Sequence, residues 1–206
     1  MHLSWPAPTE PINLTTVLSS RLGVSIEIVL IAAIIIVWCG QNPPDVNESH
    51  YLLKAKHYWD PSWCERDFFL RSANAHGLFY AVFGWLTLGL TLEQFAWSGR
   101  LITWLGFAIA WAQLNAALFR KRGLGLCSIV PFLLASHYCQ LAGEWVIGGF
   151  EGKSVAYVLV VFGLARLVHQ RWAEVPLWMA GAACFHLLVG GWSLLAAGAC
   201  WVLSAC

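Results

Sequence analysis

The sequence predicts an all-α protein: a polytopic transmembrane helix bundle with a large first extracytoplasmic loop that carries interfacial helices. Three observations predict it. The chain is 59% hydrophobic and 11% charged, with a mean hydropathy of +0.64, whereas an average soluble domain is about 45–50% apolar and about 25% charged. The apolar residues form long unbroken runs, not the polar–apolar alternation of a transmembrane β-barrel. Thirteen Trp in 206 residues suit the membrane–water boundary, where an indole keeps one end dry and one end wet. The same figures exclude other classes. With 12 Lys+Arg against 11 Asp+Glu there is no basic excess for nucleic acid, and so apolar a chain is not a disordered one.

Residues 1–21 read as a cytosolic tail. The first twenty hold three prolines and Glu10 with no basic lead into an apolar stretch, so they are not a cleaved signal peptide. The first span is expected over 22–40. Nineteen residues at about 1.5 Å each give roughly 28 Å, enough for a bilayer core of about 30 Å. Residues 41–75 are the most polar stretch, with four of the 12 basic residues and five of the 11 acids. Charge-free windows follow at 72–92, 101–119, 123–143, 154–165 and 175–206. If every window crossed, Arg120-Lys121-Arg122 would face outward, against the positive-inside tendency of short loops. Laying 76–92 along the interface removes the conflict. The expected spans are then 22–40, 93–119, 123–140, 154–168 and 175–206, all in one transmembrane domain (22–206) of a multi-pass inner-membrane protein. The external loop covers 41–92, with interfacial helices at about 46–59 and 76–92. The last window has 32 residues without a formal charge, roughly 48 Å as one helix. It reads either as one tilted helix or as two pieces split at Gly190-Gly191. Its end at Cys206 without a polar tail suggests the amino-terminal part of a longer protein.

Chemistry is expected in two polar segments on the external side. In the first, Pro43-Pro44 ends the opening span and Asp45-Val46-Asn47-Glu48 opens an amphipathic helix suited to the headgroup layer. Glu48 has two compatible readings. Three residues after Asp45 it completes a capping box; at a helix start it can also face a substrate. The second segment, 136–154, brings His137, Glu144, Glu151 and Lys153, with Gly148-Gly149 and Gly152 allowing sharp turns. Glutamates at the edge of apolar spans are costly without a purpose, although both also read as solvated loop charges. Carboxylates here can hold Mg²⁺ or Mn²⁺, and Lys or Arg a phosphate. His186 reads as a helix-packing hydrogen-bonder, Gln113 and Asn115 as polar glue between helices, and Glu27 as a residue near the cytosolic interface. The seven cysteines contain no CxxC pair and form no metal or disulfide framework.

Asn47-Glu48-Ser49-His50-Tyr51 resembles the Asp-Glu-x-His-Phe motif that follows the first span of the protein O-mannosyltransferases. It also looks like the Asp-Glu-x-x-Tyr opening of the bacterial aminoarabinose transferases. Both are C-type-fold glycosyltransferases that use lipid-linked sugars, and their first external loop carries two membrane-surface helices. His76 falls where the mannosyltransferases have His-Pro-Pro-Leu. The departures are specific: Asn47 replaces the motif's first Asp, and the two prolines after His76 and the Lys beyond them are absent. Across most of 40–195 the chain is similar to a bacterial multi-pass family of no established activity, through NESHYLLKAKHYWDPSWCERDFFLRSANAH, AGEWVIGGFEGKSVAYVL and AACFHLLVGGW.

The resemblance implies a membrane glycosyltransferase that takes a polyprenyl-phosphate-linked sugar from the lipid phase. It implies Glu48, or Asp45 at a shifted offset, as general base on the acceptor hydroxyl. Asn47, His50, Lys54, Lys56, Arg71, His76 and Lys153 would contact substrate, with Lys54, Lys56 or Arg71 on the phosphate. Glu144 and Glu151 would hold a divalent ion. The alternative is a non-catalytic membrane protein or inactive fragment, a transporter piece or an assembly factor. Acids placed in loops, away from the bilayer midplane, count against transport.

Overall fold

A computed structural model describes residues 14–45, 47–119, 123–139 and 145–205. Among them all regular structure is helical: α1 (Leu14–Cys39), α2 (Glu48–Trp59), α3 (Phe68–Arg71), α4 (Gly77–Phe83) running into a 3₁₀ turn (Gly84–Leu88), α5 (Leu92–Leu118), α6 (Leu124–Tyr138), α7 (Gly152–Val168), α8 (Val175–Phe185) and α9 (Leu187–Ala205). Three segments, Leu22–Cys39, Leu92–Leu118 and Leu187–Ser204, are long and apolar enough to cross a membrane. Val37, Leu101, Ile102 and Leu195 point outward from these helices, so the apolar surface that a soluble protein would bury is turned to the surroundings. These helices and their outward apolar faces are those expected of a membrane protein.

The central packing joins α1, α5, α6 and α7 around Ile31, Ile35, Trp104, Phe107, Ile129 and Val161. Asn115 and Ser128 tie α5 to α6 by a hydrogen bond from the Ser hydroxyl to the Asn carbonyl at 2.8 Å, as expected for polar glue. A second cluster packs α2 and α4 against α5 through Tyr51, Leu52, Ala55, Phe79, Tyr80 and Phe95, with Phe150 wedged among them. Gly99 makes that wedge possible, because a Cβ there would run into the Phe150 ring. Helix α5 starts at a capping box, in which Thr91 accepts from the Gln94 amide and Gln94 accepts from the Thr91 amide.

Several boundaries differ from expectation. The expected interfacial helix over 76–92 is a short α-helix and a 3₁₀ turn that stop at Leu88. Gly89 and Leu90 intervene before the Thr91 cap, which competes for the chain's direction. Helix α1 begins by Leu14, inside the expected tail; residues 1–13 and the basic triplet 120–122 lie outside the described residues. The terminal window is neither one tilted helix nor a pair split at Gly190-Gly191. It breaks at His186, whose extended backbone (φ −150°, ψ 102°) ends α8. The two pieces fold back on each other: Val175 and Pro176 at the start of α8 share an apolar hollow with Leu194, Ala197, Gly198 and Trp201 of α9. Gly190 lies at the tight end of this hairpin, where a Cβ would run into the Ala183 backbone. The glycine marks the crossing, not the break.

Candidate functional site

The hairpin's turn projects toward α2, the start of α4 and the start of α7. Together they enclose a polar pocket of about 350 Å³. Helical spacing lines up Asn47, His50, Tyr51 and Lys54 along one edge of α2. His76, Glu151, Lys153 and His186 supply the facing walls. Of the residues expected to contact substrate or metal, Asn47, His50, Lys54, His76, Lys153 and Glu151 therefore converge on one cavity. Lys56 and Arg71 are elsewhere: Lys56 lies over the Trp63 ring at 4.8 Å, and Arg71 is an exposed residue in the last turn of α3. Glu144 lies outside the described residues.

Glu48 is at the pocket's foundation, not its lining. It is 0% exposed and forms a bidentate pair with Arg100, whose Nε donates to Oε1 at 2.8 Å and Nη2 to Oε2 at 2.6 Å. The Phe150 amide donates to Oε1 at 2.6 Å and the Asp45 amide to Oε2 at 2.9 Å. Four donors thus occupy both oxygens, and no lone pair is left aimed at the pocket. The capping-box reading holds in its Glu half only, because the residue in the N-cap position is Asn47, not Asp45. Asp45 lies beside Gly148, away from the cavity. Arg100 is 1% exposed, inside an apolar 27-residue helix. A charge there needs full pairing, which Glu48, the Gln41 carbonyl at 2.5 Å and the rings of Trp97 and Trp104 provide. The lone Arg in an apolar run is the sequence signal for this anchor.

Lys54 is likewise engaged. Its ammonium donates to the Ser72 carbonyl (3.1 Å), the Ser72 hydroxyl (2.8 Å) and the Ala73 carbonyl (3.1 Å). An ammonium has three protons, so Lys54 fixes the 72–73 wall and has none left for a phosphate. His76 bridges three elements. Its Nδ1 is 3.3 Å from the Phe185 carbonyl, which can only accept, so that nitrogen carries a proton. Its Nε2 is 3.0 Å from the Tyr51 hydroxyl, and its ring stacks on His186 at 5.4 Å. The His186 ring faces this pocket, beyond the packing role expected of it. Gly152 permits the junction, since a Cβ would lie 2.7 Å from the Phe185 oxygen.

Glu151 is different. It is 2% exposed, and its Oε1 has no hydrogen-bond partner among the described residues. Oε2 is 3.5 Å from the Lys153 ammonium, which also faces the Trp145 ring at 5.5 Å. Burial pushes the Glu151 carboxyl up to about 7. Lys153 opposes that rise, and the negative charges of Glu48 and Asp45 add to it. A carboxyl that ionises near neutrality, with one oxygen unclaimed among the described residues, on a side chain that lines a cavity, suits proton transfer. The divalent-ion site expected at Glu144 and Glu151 is represented only by Glu151. Its nearest charged neighbour is an ammonium, and among the described residues no three His, Cys, Asp or Glu side chains converge as metal ligands.

No family model, curated protein or solved structure matches this chain.

Proposed function

We propose that the chain is a multi-pass inner-membrane transferase for a lipid-linked sugar, with its active site in the pocket between α2, α7 and the α8–α9 turn. In this reading the segment between α1 and α5 faces the extracytoplasmic side, where a polyprenyl-phosphate sugar lies with its head at the interface. Glu151, rather than Glu48, takes the proton from the acceptor hydroxyl. The acceptor oxygen attacks the anomeric carbon, the bond from that carbon to the phosphate oxygen breaks, and polyprenyl phosphate leaves with the electron pair. In this reading Lys153, which lines the cavity, and the amino-terminal end of α7 stabilise that negative charge. The observation that carries the reading is that Glu151, a residue lining this cavity, has a buried Oε1 with no hydrogen-bond partner among the described residues.

The test is release of free polyprenyl phosphate by the full chain in nanodiscs, across a panel of polyprenyl-phosphate hexoses and pentoses. Turnover of at least one donor is expected, with a drop of about 10²-fold or more in Glu151→Gln. Lack of turnover across the panel, or full activity in Glu151→Gln, refutes it. The full engagement of Glu48 favours a second reading, a non-catalytic binder of the same head group. That reading predicts donor binding without release.

A further inference from the structure

A second cavity, of about 370 Å³, lies at the other end of the bundle between α1, α5 and the start of α6. Its lining combines apolar side chains, Val24, Ile28, Ile109 and Phe119, with the polar Glu27, Gln113 and Asn115. Glu27 lies within the membrane-spanning segment Leu22–Cys39, yet it has no hydrogen-bond or ion-pair partner among the described residues. Its neighbours are already engaged. The Asn115 amide donates to the Trp111 carbonyl at 2.9 Å and its oxygen accepts from Ser128, while the Gln113 oxygen accepts from Arg166 at 3.5 Å. Gly125 lets the first turn of α6 approach the carboxylate, since a Cβ there would be 2.6 Å from Oε1. Negative charge is favoured at that end of a helix. The cavity therefore holds, beside apolar side chains, a carboxylate with no counter-ion among the described residues.

We infer that this cavity binds the primary ammonium head of a membrane amphiphile, with Glu27 as its counter-ion. A carboxylate inside an apolar span calls for a cationic partner. A primary ammonium offers hydrogen-bond donors that a quaternary head lacks, and the apolar Val24 and Ile28 side chains accommodate the start of an alkyl chain. The site uses different residues from the proposed transfer reaction and stands independently of it.

The test is native mass spectrometry of the detergent-solubilised full chain with phosphatidylethanolamine, phosphatidylcholine and phosphatidylglycerol of matched chains, and with dodecylamine. Phosphatidylethanolamine and dodecylamine should be retained at least about tenfold better than the other two, a difference of about 1.4 kcal/mol. Glu27→Gln should abolish the preference. Retention of dodecylamine alone would assign the site to free amines; retention of phosphatidylethanolamine alone would assign it to the phospholipid head. If Glu27→Gln does not fold, Val24→Trp, which fills the cavity and keeps the carboxylate, should displace the amine instead. Equal retention of all head groups, or an unchanged preference in the variants, overturns the inference.

Discussion

Replacing Glu151 by Gln should make the protein more stable at alkaline pH. The Glu151 carboxyl stands at about 7 in the fold against 4.5 for the unperturbed group. The folded chain holds this proton more tightly than the unfolded chain does. Stability therefore falls as pH rises from 4.5 toward 7 and stays low above it. At about 1.4 kcal/mol per pH unit, the ceiling of the cost is roughly 3 kcal/mol at pH 8. Gln has nearly the same shape and no charge to desolvate. The Glu151→Gln chain should exceed the parent by about 1–3 kcal/mol at pH 8, roughly 2–4 °C of Tm per kcal/mol for a chain of this size. At pH 5 the difference should shrink to less than about 1 kcal/mol, and at pH 4 and below to near zero. Differential scanning fluorimetry in detergent across pH 4–8 reads this directly. A Glu151→Gln chain less stable than the parent at pH 8 would mean that the ionised carboxylate is a structural partner, and the argument for a functional group would fail.

Three other outcomes follow from the packing. Arg100→Met leaves Glu48 charged and buried against two backbone amides, so thermal unfolding should show a loss of about 3–5 kcal/mol, partly recovered by adding Glu48→Gln. Lys54→Met removes three hydrogen bonds from the 72–73 wall, which should cost about 1–3 kcal/mol and open 72–75 to limited proteolysis. Gly152→Ala drives a Cβ to 2.7 Å from the Phe185 carbonyl; a Tm loss equivalent to about 1–3 kcal/mol should come with displacement of the His186 turn, read as new labelling of a cysteine placed at 186.

Composition and charge placement made the helical membrane architecture legible, because a run such as Ile28–Cys39 has few other ways to satisfy its backbone in a bilayer. Helices α2, α5, α6 and α7 fall within two residues of the expected bounds, where proline, glycine and charge mark the ends. The α8–α9 hairpin was not legible. Its break falls at His186, whose ring stacks on His76 110 positions away in the chain, while Gly190-Gly191 offered the stronger local signal. The site was legible as a set of polar residues but not as a division of labour. Glu48 and Glu151 look alike in sequence; Arg100, 52 residues beyond Glu48, gives one of them an anchoring role and leaves the other lining the cavity.

The most direct measurement is the pH–rate profile of polyprenyl-phosphate release by the parent chain and by Glu151→Gln. The proposed mechanism predicts a parent rate that rises with pH through about 7, as the base loses its proton, and a Glu151→Gln rate that is low and flat over the same range. A Glu151→Gln chain that keeps the parent's rate and its rise would contradict it.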